Sequence, residues 1–283
     1  MANLLKGVPA GKAIAEELKD RIASLAERNI IPTVAIIRLG DFPDDVVYEK
    51  SVVKKFAKNN LNTVLVTLPK DIKEDELISK IEEINDDSTI NGVLMMRPLP
   101  RSIDEKKVCD TLLPIKDSDG ITSKSMANLY AGEKDVFGPC TAEACMELFK
   151  FYNIDLKGKN VVVLGRSLVI GKPLAMMLLK ENATVTVCHS KTKNMSEICK
   201  NADIIVSAIG RPRFINEKFL KEGQIIVDVG INYDMNGTLC GDVDFEKAEP
   251  LADSITPVPG GVGSVTTSIL MRHVVESCER MNP

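Results

Sequence analysis

The sequence predicts an α/β protein of two domains, each built on a mostly parallel sheet with helices packed against it. Three observations carry this. Short β-branched runs alternate with helical periodicities along the 283-residue chain. Residues 160–193 contain a strand, a glycine turn, a helix and a second strand, which is a complete βαβ unit. Every strand of the second half ends in Gly, Ser or a loop, and that edge is where open α/β sheets hold ligands.

In chain order, Ile14, Leu18, Ile22 and Leu25 recur at spacings of three and four, predicting a helix over 11–28. TVAIIRL at 33–39 reads as a strand closed by Gly40-Asp41, and 44–58 as a helix carrying Tyr48. A strand at 63–68 follows, then a capping-box-like start between Asp71 and Glu74 to a helix running through Ile84. Asn91-Gly92 turns into a strand at 93–96, ending at Arg97-Pro98-Leu99-Pro100. Residues 117–121 and 138–141 are two glycine- and proline-marked loops that read as a hinge or cleft lining. A helix over 142–152 leads into the second half. There, buried strands are predicted at 161–164 and 184–188, flanking a helix at 172–180. Further strands are read at 203–209 and at 224–229, the latter ending in Gly230-Ile231-Asn232. Gly241-Asp242-Val243-Asp244 reads as a polar turn, and 256–263 as a rigid, glycine-rich loop before a last helix at 265–278.

Composition narrows the function classes. At 44% hydrophobic and 27% charged residues the chain has ordinary soluble, globular character, with no apolar run near the roughly 18 residues of a membrane span. MANLLKGVPAGK has neither the apolar stretch nor the cleavage pattern of an export signal. A net charge of −4 argues against a general nucleic-acid binder. The seven cysteines form no C-x-x-C pair, and with only His189 and His273 there is no zinc-like cluster. A cytoplasmic protein with reduced thiols, no metal, and neither membrane nor nucleic-acid partner is expected.

The turn Gly165-Arg166-Ser167 lies where such sheets bind phosphate, at a strand end facing a helix N-terminus. Gly165-x5-Gly171 does not match the G-x-G-x-x-G fingerprint. It also misses a Walker A loop, its spacer being one residue too long and Pro173 standing where Ser or Thr should hold magnesium. On pattern alone, nucleotide binding and a plain βα turn both stay open. The second strand ends in Cys188-His189-Ser190-Lys191, where an NAD site wants an acidic residue for the ribose hydroxyl. With Arg166 nearby, the charge suits a 2′-phosphate, so NADP is favoured over NAD.

Several ordered motifs together resemble the methylenetetrahydrofolate dehydrogenase/methenyltetrahydrofolate cyclohydrolase family over nearly the whole chain. They are Lys116-Asp117-Ser118-Asp119-Gly120, Pro139-Cys140-Thr141, Gly165-Arg166-Ser167-x3-Gly171-Lys172-Pro173, residues 188–192, Ala208-Ile209-Gly210, residues 227–232 and residues 256–263. The resemblance implies a folate-binding catalytic domain of residues 1–138 plus 265–283. It implies a Rossmann-type NADP-binding domain at 139–264, the two facing across a cleft, and a homodimer formed through the cofactor domains. It assigns Thr141, Gly165, Arg166, Ser167, Ser190, Ile231 and Gly263 to the cofactor, with Ile231 near the nicotinamide. It assigns Tyr48, Val52, Met96, Asp119, Pro259, Gly260 and Gly261 to tetrahydrofolate one-carbon derivatives, with Tyr48 and Asp119 as the catalytic positions. Asp119 would accept from the pterin's amino and amide nitrogens, which suits a group with two acceptor oxygens. Without the resemblance, Asp119 reads as a solvated turn residue and Tyr48 as core.

The chain departs from the family where the chemistry is hardest. The family's cleft helix carries Tyr-x-x-x-Lys, but the Lys position here is Val52. Its strand motif Val-Gln-Leu-Pro-Leu-Pro reads Met95-Met96-Arg97-Pro98-Leu99-Pro100, so the Gln is Met96. At 100° per residue Lys50 lies about 200° and Lys54 about 240° from Tyr48, both off the face. Lys55 shares the face but sits about 4.5 Å beyond position 52. Arg97 should point away from the side of Met96, and a guanidinium is no base at neutral pH. Ser264-Val265 also replace the family's Pro-Met before the last helix. The reading is therefore an oxidoreductase that converts 5,10-methylenetetrahydrofolate to the methenyl form by hydride transfer to NADP, with cyclohydrolase activity weak or lost. The alternatives are a fully bifunctional enzyme using Lys55 or water, and a degenerate folate- or NADP-binding protein without turnover. For a shikimate-type dehydrogenase, no lysine–aspartate catalytic pair can be placed.

Overall fold

The computed structural model describes residues 2–133 and 136–283. Its strands and helices run β1 (Asn3–Leu4), α1 (Gly7–Glu27), β2 (Thr33–Leu39), α2 (Pro43–Lys58), β3 (Asn62–Leu68), α3 (Glu74–Asp86), β4 (Gly92–Met95), α4 (Glu105–Thr111), α5 (Ser123–Ala131) and α6 (Cys140–Phe151). They continue as β5 (Asn160–Leu164), α7 (Gly171–Lys180), β6 (Thr184–Cys188), α8 (Met195–Lys200), β7 (Ile204–Ser207), β8 (Gln224–Asp228), β9 (Asn232–Tyr233), β10 (Leu239–Cys240), α9 (Phe245–Ala248), β11 (Ala252–Ile255) and α10 (Gly263–Met281). The chain forms two compact units, Met1–Lys12 with Thr141–Thr266 and Ala13–Cys140 with Thr267–Pro283. The sequence reading placed residues 1–12 in the first domain. They belong with the second, because Asn3 and Leu4 pair in parallel with Ser254 and Ile255 of β11.

The unit of Ala13–Cys140 and Thr267–Pro283 holds a parallel three-stranded sheet in the order β3-β2-β4. The central strand β2 is buried at every position, Thr33 and Arg38 as well as its five apolar residues, as a strand paired on both edges and covered on both faces must be. Ile37, Leu39, Val93 and Met95 share a core with Leu77, Ile81 and Ile84 of α3 and Val108 and Cys109 of α4. A buried ion pair joins α2 to the sheet: Arg38 Nε donates to Glu49 Oε2 at 2.9 Å. Arg21 of α1 donates to Glu279 of α10 through Nε at 2.9 Å and through a terminal nitrogen at 2.5 Å. The capping box read at Asp71 to Glu74 does not form. Lys73 is the residue before the first turn and supplies no side-chain cap, while Glu74 accepts from the Asp104 amide and Lys107.

The other unit carries a parallel sheet in the order β1-β11-β8-β7-β5-β6. From β6 to β11 this places the unit's second βαβ strand outermost, then its first, third, fourth and fifth. The direction of winding therefore reverses between β5 and β7, and the crevice at such a switch point is where ligands bind. Predicted as buried, β6 is an edge strand with most side chains exposed. Its apolar Val185 and Val187 alternate with threonines, a pattern that suits a half-solvated strand as well as a central one.

Candidate functional site

At the switch point two loops leave adjacent strands, residues 165–170 after β5 and 208–212 after β7. They touch: a Cβ on Gly165 would lie 2.3 Å from Ala208 O, and Gly165 has φ +118°, so only glycine fits. A Cβ on Gly171 would lie 2.1 Å from Gly165 O, which lets α7 begin directly behind the loop. Ser167 Oγ accepts from the Ile170 amide at 3.1 Å and Ser167 O from Lys172 at 3.1 Å, fixing the loop against the first turn of α7. Arg166 and Ser167 face solvent. Beyond β6, Thr192 Oγ1 accepts from the His189 amide at 2.9 Å and Thr192 donates its own amide to His189 O at 2.8 Å. This closed turn presents Ser190 and Lys191 outward, with no carboxylate among residues 189–193. A backbone packed to the limit of glycine, a helix start behind it and an exposed Arg and Lys fit a dinucleotide with a 2′-phosphate.

The same unit gathers further predicted residues. Ile231 is 68% exposed in the turn after β8. Gly263 lies beside it, a Cβ there standing 3.8 Å from Ile231 Cδ1. Gly260 has φ +104°, and its carbonyl accepts from the Gly7 amide at 2.8 Å. Gly261 is buried against Thr256 and Pro257, while Pro259 is exposed. Thr141 is half-buried in the first turn of α6.

In the three-stranded unit, residues 117–121 and 138–140 meet. Gly120 has φ +61°, and a Cβ there would lie 2.6 Å from Gly138 C and 2.7 Å from Pro139 N. The Cys140 amide donates to Asp119 Oδ1 at 3.0 Å. The Cys140 thiol donates to Ser118 O at 3.2 Å, and His273 Nδ1 of α10 lies 2.8 Å from the same oxygen. Asp117 braces the loop from behind, accepting from the Ile121 and Thr122 amides at 2.9 and 2.8 Å. Burial pushes the Asp119 carboxyl above its ordinary value, opposed by the Cys140 amide.

On α2, Tyr48 is half-buried one turn before Val52, which is fully buried. Met96, immediately after β4, is 7% exposed. Arg97 turns to Glu105, with 3.3 Å between its Nη1 and Oε1. Lys50 and Lys54 are exposed. Lys55 is half-buried and donates to the hydroxyl of Ser268 on α10, and burial lowers its pKa.

Two features escaped the sequence reading. Lys116 is 2% exposed, with Nζ donating to the carbonyls of Ile84, Asn85 and Asp87 at 2.8, 2.8 and 2.7 Å. Asp242, expected in a polar turn, is fully buried and accepts from four donors. The signal for Asp242 is faint: glycines at 230 and 241 mark close backbone approach, but nothing in their spacing says to what.

Comparison with known proteins gives consistent matches. Residues 5–119 match the family model for the tetrahydrofolate dehydrogenase/cyclohydrolase catalytic domain, and residues 139–282 that for the NAD(P)-binding domain of the same family. The bifunctional protein FolD of Carboxydothermus hydrogenoformans is 47% identical over 285 residues, covering 100% of this chain and 99% of the relative. The crystal structure of the bifunctional FolD methylenetetrahydrofolate dehydrogenase/cyclohydrolase from Campylobacter jejuni superposes with a TM-score of 0.96 at 38% identity, over 99% of each chain. FolD from Trypanosoma brucei, complexed with NADP cofactor and inhibitor, gives 0.93 at 34% identity over 99% and 98%.

Proposed function

The chain belongs to the tetrahydrofolate dehydrogenase/cyclohydrolase family, and on that premise we propose that it is an NADP-dependent methylenetetrahydrofolate dehydrogenase whose cyclohydrolase step is weak or lost. One asymmetry carries the reading. The switch-point loops keep the groups that a dinucleotide needs, whereas positions 52 and 96 hold Val and Met, 0% and 7% exposed.

The two reactions make different demands. NADP, when bound, supplies the hydride acceptor. Oxidation of the methylene bridge is driven by the pterin N5 lone pair and moves no proton through the protein, so orientation suffices. Asp119 would hold the pterin nitrogens, Tyr48 would pack on the ring, and residues 259–261 would bring backbone close to the substrate. Arg166, Ser167 and Ser190 would hold the phosphates and ribose, with Thr141, Ile231 and Gly263 completing the cofactor contacts. Hydrolysis of the methenyl carbon is another matter. Water must be deprotonated and a ring nitrogen protonated, and a placed acid–base group is typically worth 10²–10⁴-fold. Neither Val52 nor Met96 can transfer a proton.

One observation favours a second reading, the fully bifunctional enzyme. Lys55 is half-buried with a lowered pKa, so its neutral amine is more accessible than that of a surface lysine. In that reading Lys55 manages the protons. A homodimer and a cytoplasmic location are part of our reading, supported by the family likeness; light scattering of the purified protein tests the first. The deciding assay supplies methylenetetrahydrofolate and NADP and follows reduced cofactor and methenyl product together. NADPH formed with equimolar, persisting methenyl product supports the dehydrogenase reading. No NADPH sinks it, and methenyl product hydrolysed as fast as it forms supports the bifunctional one.

A further inference from the structure

Two carboxylates are buried at the ligand edge of the six-stranded sheet, on the far side of the switch point from Gly165. Asp242 is fully buried. Its Oδ2 accepts from the Ile209 amide at 2.7 Å and the Ser207 hydroxyl at 3.2 Å, and its Oδ1 from the Arg211 amide and Asn232 Nδ2, both at 2.9 Å. Asp228, 4% exposed, takes the amides of Gly230 and Asp242 on Oδ1, both at 3.0 Å, and that of Val243 on Oδ2 at 2.9 Å. The fit leaves no room for side chains. A Cβ on Gly230 would lie 2.4 Å from Asp242 Oδ1, and one on Gly241 would lie 1.8 Å from Asp228 Oδ2.

The consequence falls on Ile231. Its neighbours on both sides are tied down, Gly230 to Asp228 and Asn232 to Asp242, while its own side chain stands 68% exposed. A large apolar side chain held out from a fixed turn offers an apolar contact to an aromatic ring. The same Asp242 wraps the 208–212 loop by alternate amides, so both loops are set by one group. Among the described residues, neither Asp228 nor Asp242 bonds to the 165–167 loop or to the 189–192 turn. We propose that Asp242, supported by Asp228, is a positioning residue for hydride transfer. The pair fixes the nicotinamide end of the crevice, while the phosphates of the adenosine end fall to Gly165, Arg166, Ser167 and Ser190, which neither carboxylate bonds. This rests on the dehydrogenase reading above.

Asp242→Asn is the test, because it keeps the shape while setting an NH₂ against amide donors. A displacement on the order of 1 Å at a reacting centre costs about 100-fold in rate, so kcat should fall by roughly 10- to 100-fold. The KM for NADP should change by less than about threefold, and the affinity for 2′,5′-ADP, which carries only the adenosine end, should not change. Asn232→Ala removes a single donor and should give a smaller fall in kcat with the same unchanged 2′,5′-ADP binding. A kcat within about twofold of wild type in Asp242→Asn would overturn the proposal. So would loss of 2′,5′-ADP binding in step with kcat in both variants, which would mark a general folding role. A wild-type protein that binds 2′,5′-ADP but forms no NADPH would overturn the dehydrogenase reading itself, and the positioning role with it.

Discussion

Asp119 Oδ1 accepts from the Cys140 amide, and burial raises its pKa from the ordinary value. A carboxylate so placed can accept from two pterin N–H groups only while ionised. Asp119→Asn turns one acceptor into a donor and removes the charge, a loss of about 1.5–3 kcal/mol for a charged hydrogen bond, or roughly 10- to 150-fold in kcat/KM. The raised pKa adds a sign: the wild-type KM for folate should climb as pH falls toward it, and the variant should lack that climb. Steady-state kinetics between pH 5 and 8 check both, and an unchanged KM and kcat would reduce Asp119 to a turn former. The sequence singles this residue out because a short ordered motif carries it. Its support from His273, 154 positions away, was not legible, because nothing local to either residue reports the 2.8 Å approach to Ser118 O.

Among the elements, α3 ends with no basic residue in its last turn. Lys116 does the work of a C-cap instead, arriving from the short turn Pro114–Lys116 to place one ammonium on three carbonyls at the end of that helix. Lys116→Met keeps the stem and deletes the donor, leaving those carbonyls buried without it. A loss of roughly 2–4 kcal/mol of stability is expected, read as a lower denaturant midpoint, and an unchanged midpoint would remove the capping role. The case shows what element-level reading can see. Long periodic elements were legible to within a few residues: β2 at 33–39 and β6 at 184–188 have the predicted bounds. α1 starts at Gly7 rather than Gly11, because Pro9 is tolerated in a first turn. The two-residue strands β1, β9 and β10 had no signal, since two residues carry no period. Nor could sequence tell that β6 is an edge, which depends on the strand order and not on the strand.

For the whole molecule, two consequences can be measured. Asp228 is pushed up to about 7, first by burial, with the negative charge of Asp242 adding to it and three amides opposing. The folded state therefore holds this proton between about pH 4 and 7 while the unfolded chain has released it, so this group's contribution to stability falls as pH rises through that window. The effect is bounded on the order of 4 kcal/mol. The Tm of wild type relative to Asp228→Asn should fall between pH 5 and 8, and parallel curves would refute it. The second consequence concerns how the two reactions divide. With Val52 and Met96 both buried, methenyltetrahydrofolate should accumulate during dehydrogenase turnover and decay at the rate seen without enzyme. Hydride transfer should persist, since moving a hydride requires neither the Lys nor the Gln that these positions lack. Val52→Lys alone should do little, because position 52 is fully buried, the family's Gln is missing at 96, and burial drives a lysine's pKa down. Val52→Lys with Met96→Gln supplies that Gln and should return measurable hydrolysis. Lys55→Ala in the otherwise unmodified chain should leave methenyl decay unchanged, because its ammonium is bonded to Ser268. Rapid hydrolysis by the unmodified protein, abolished by Lys55→Ala, would instead show that the proton-handling lysine has moved one turn along α2.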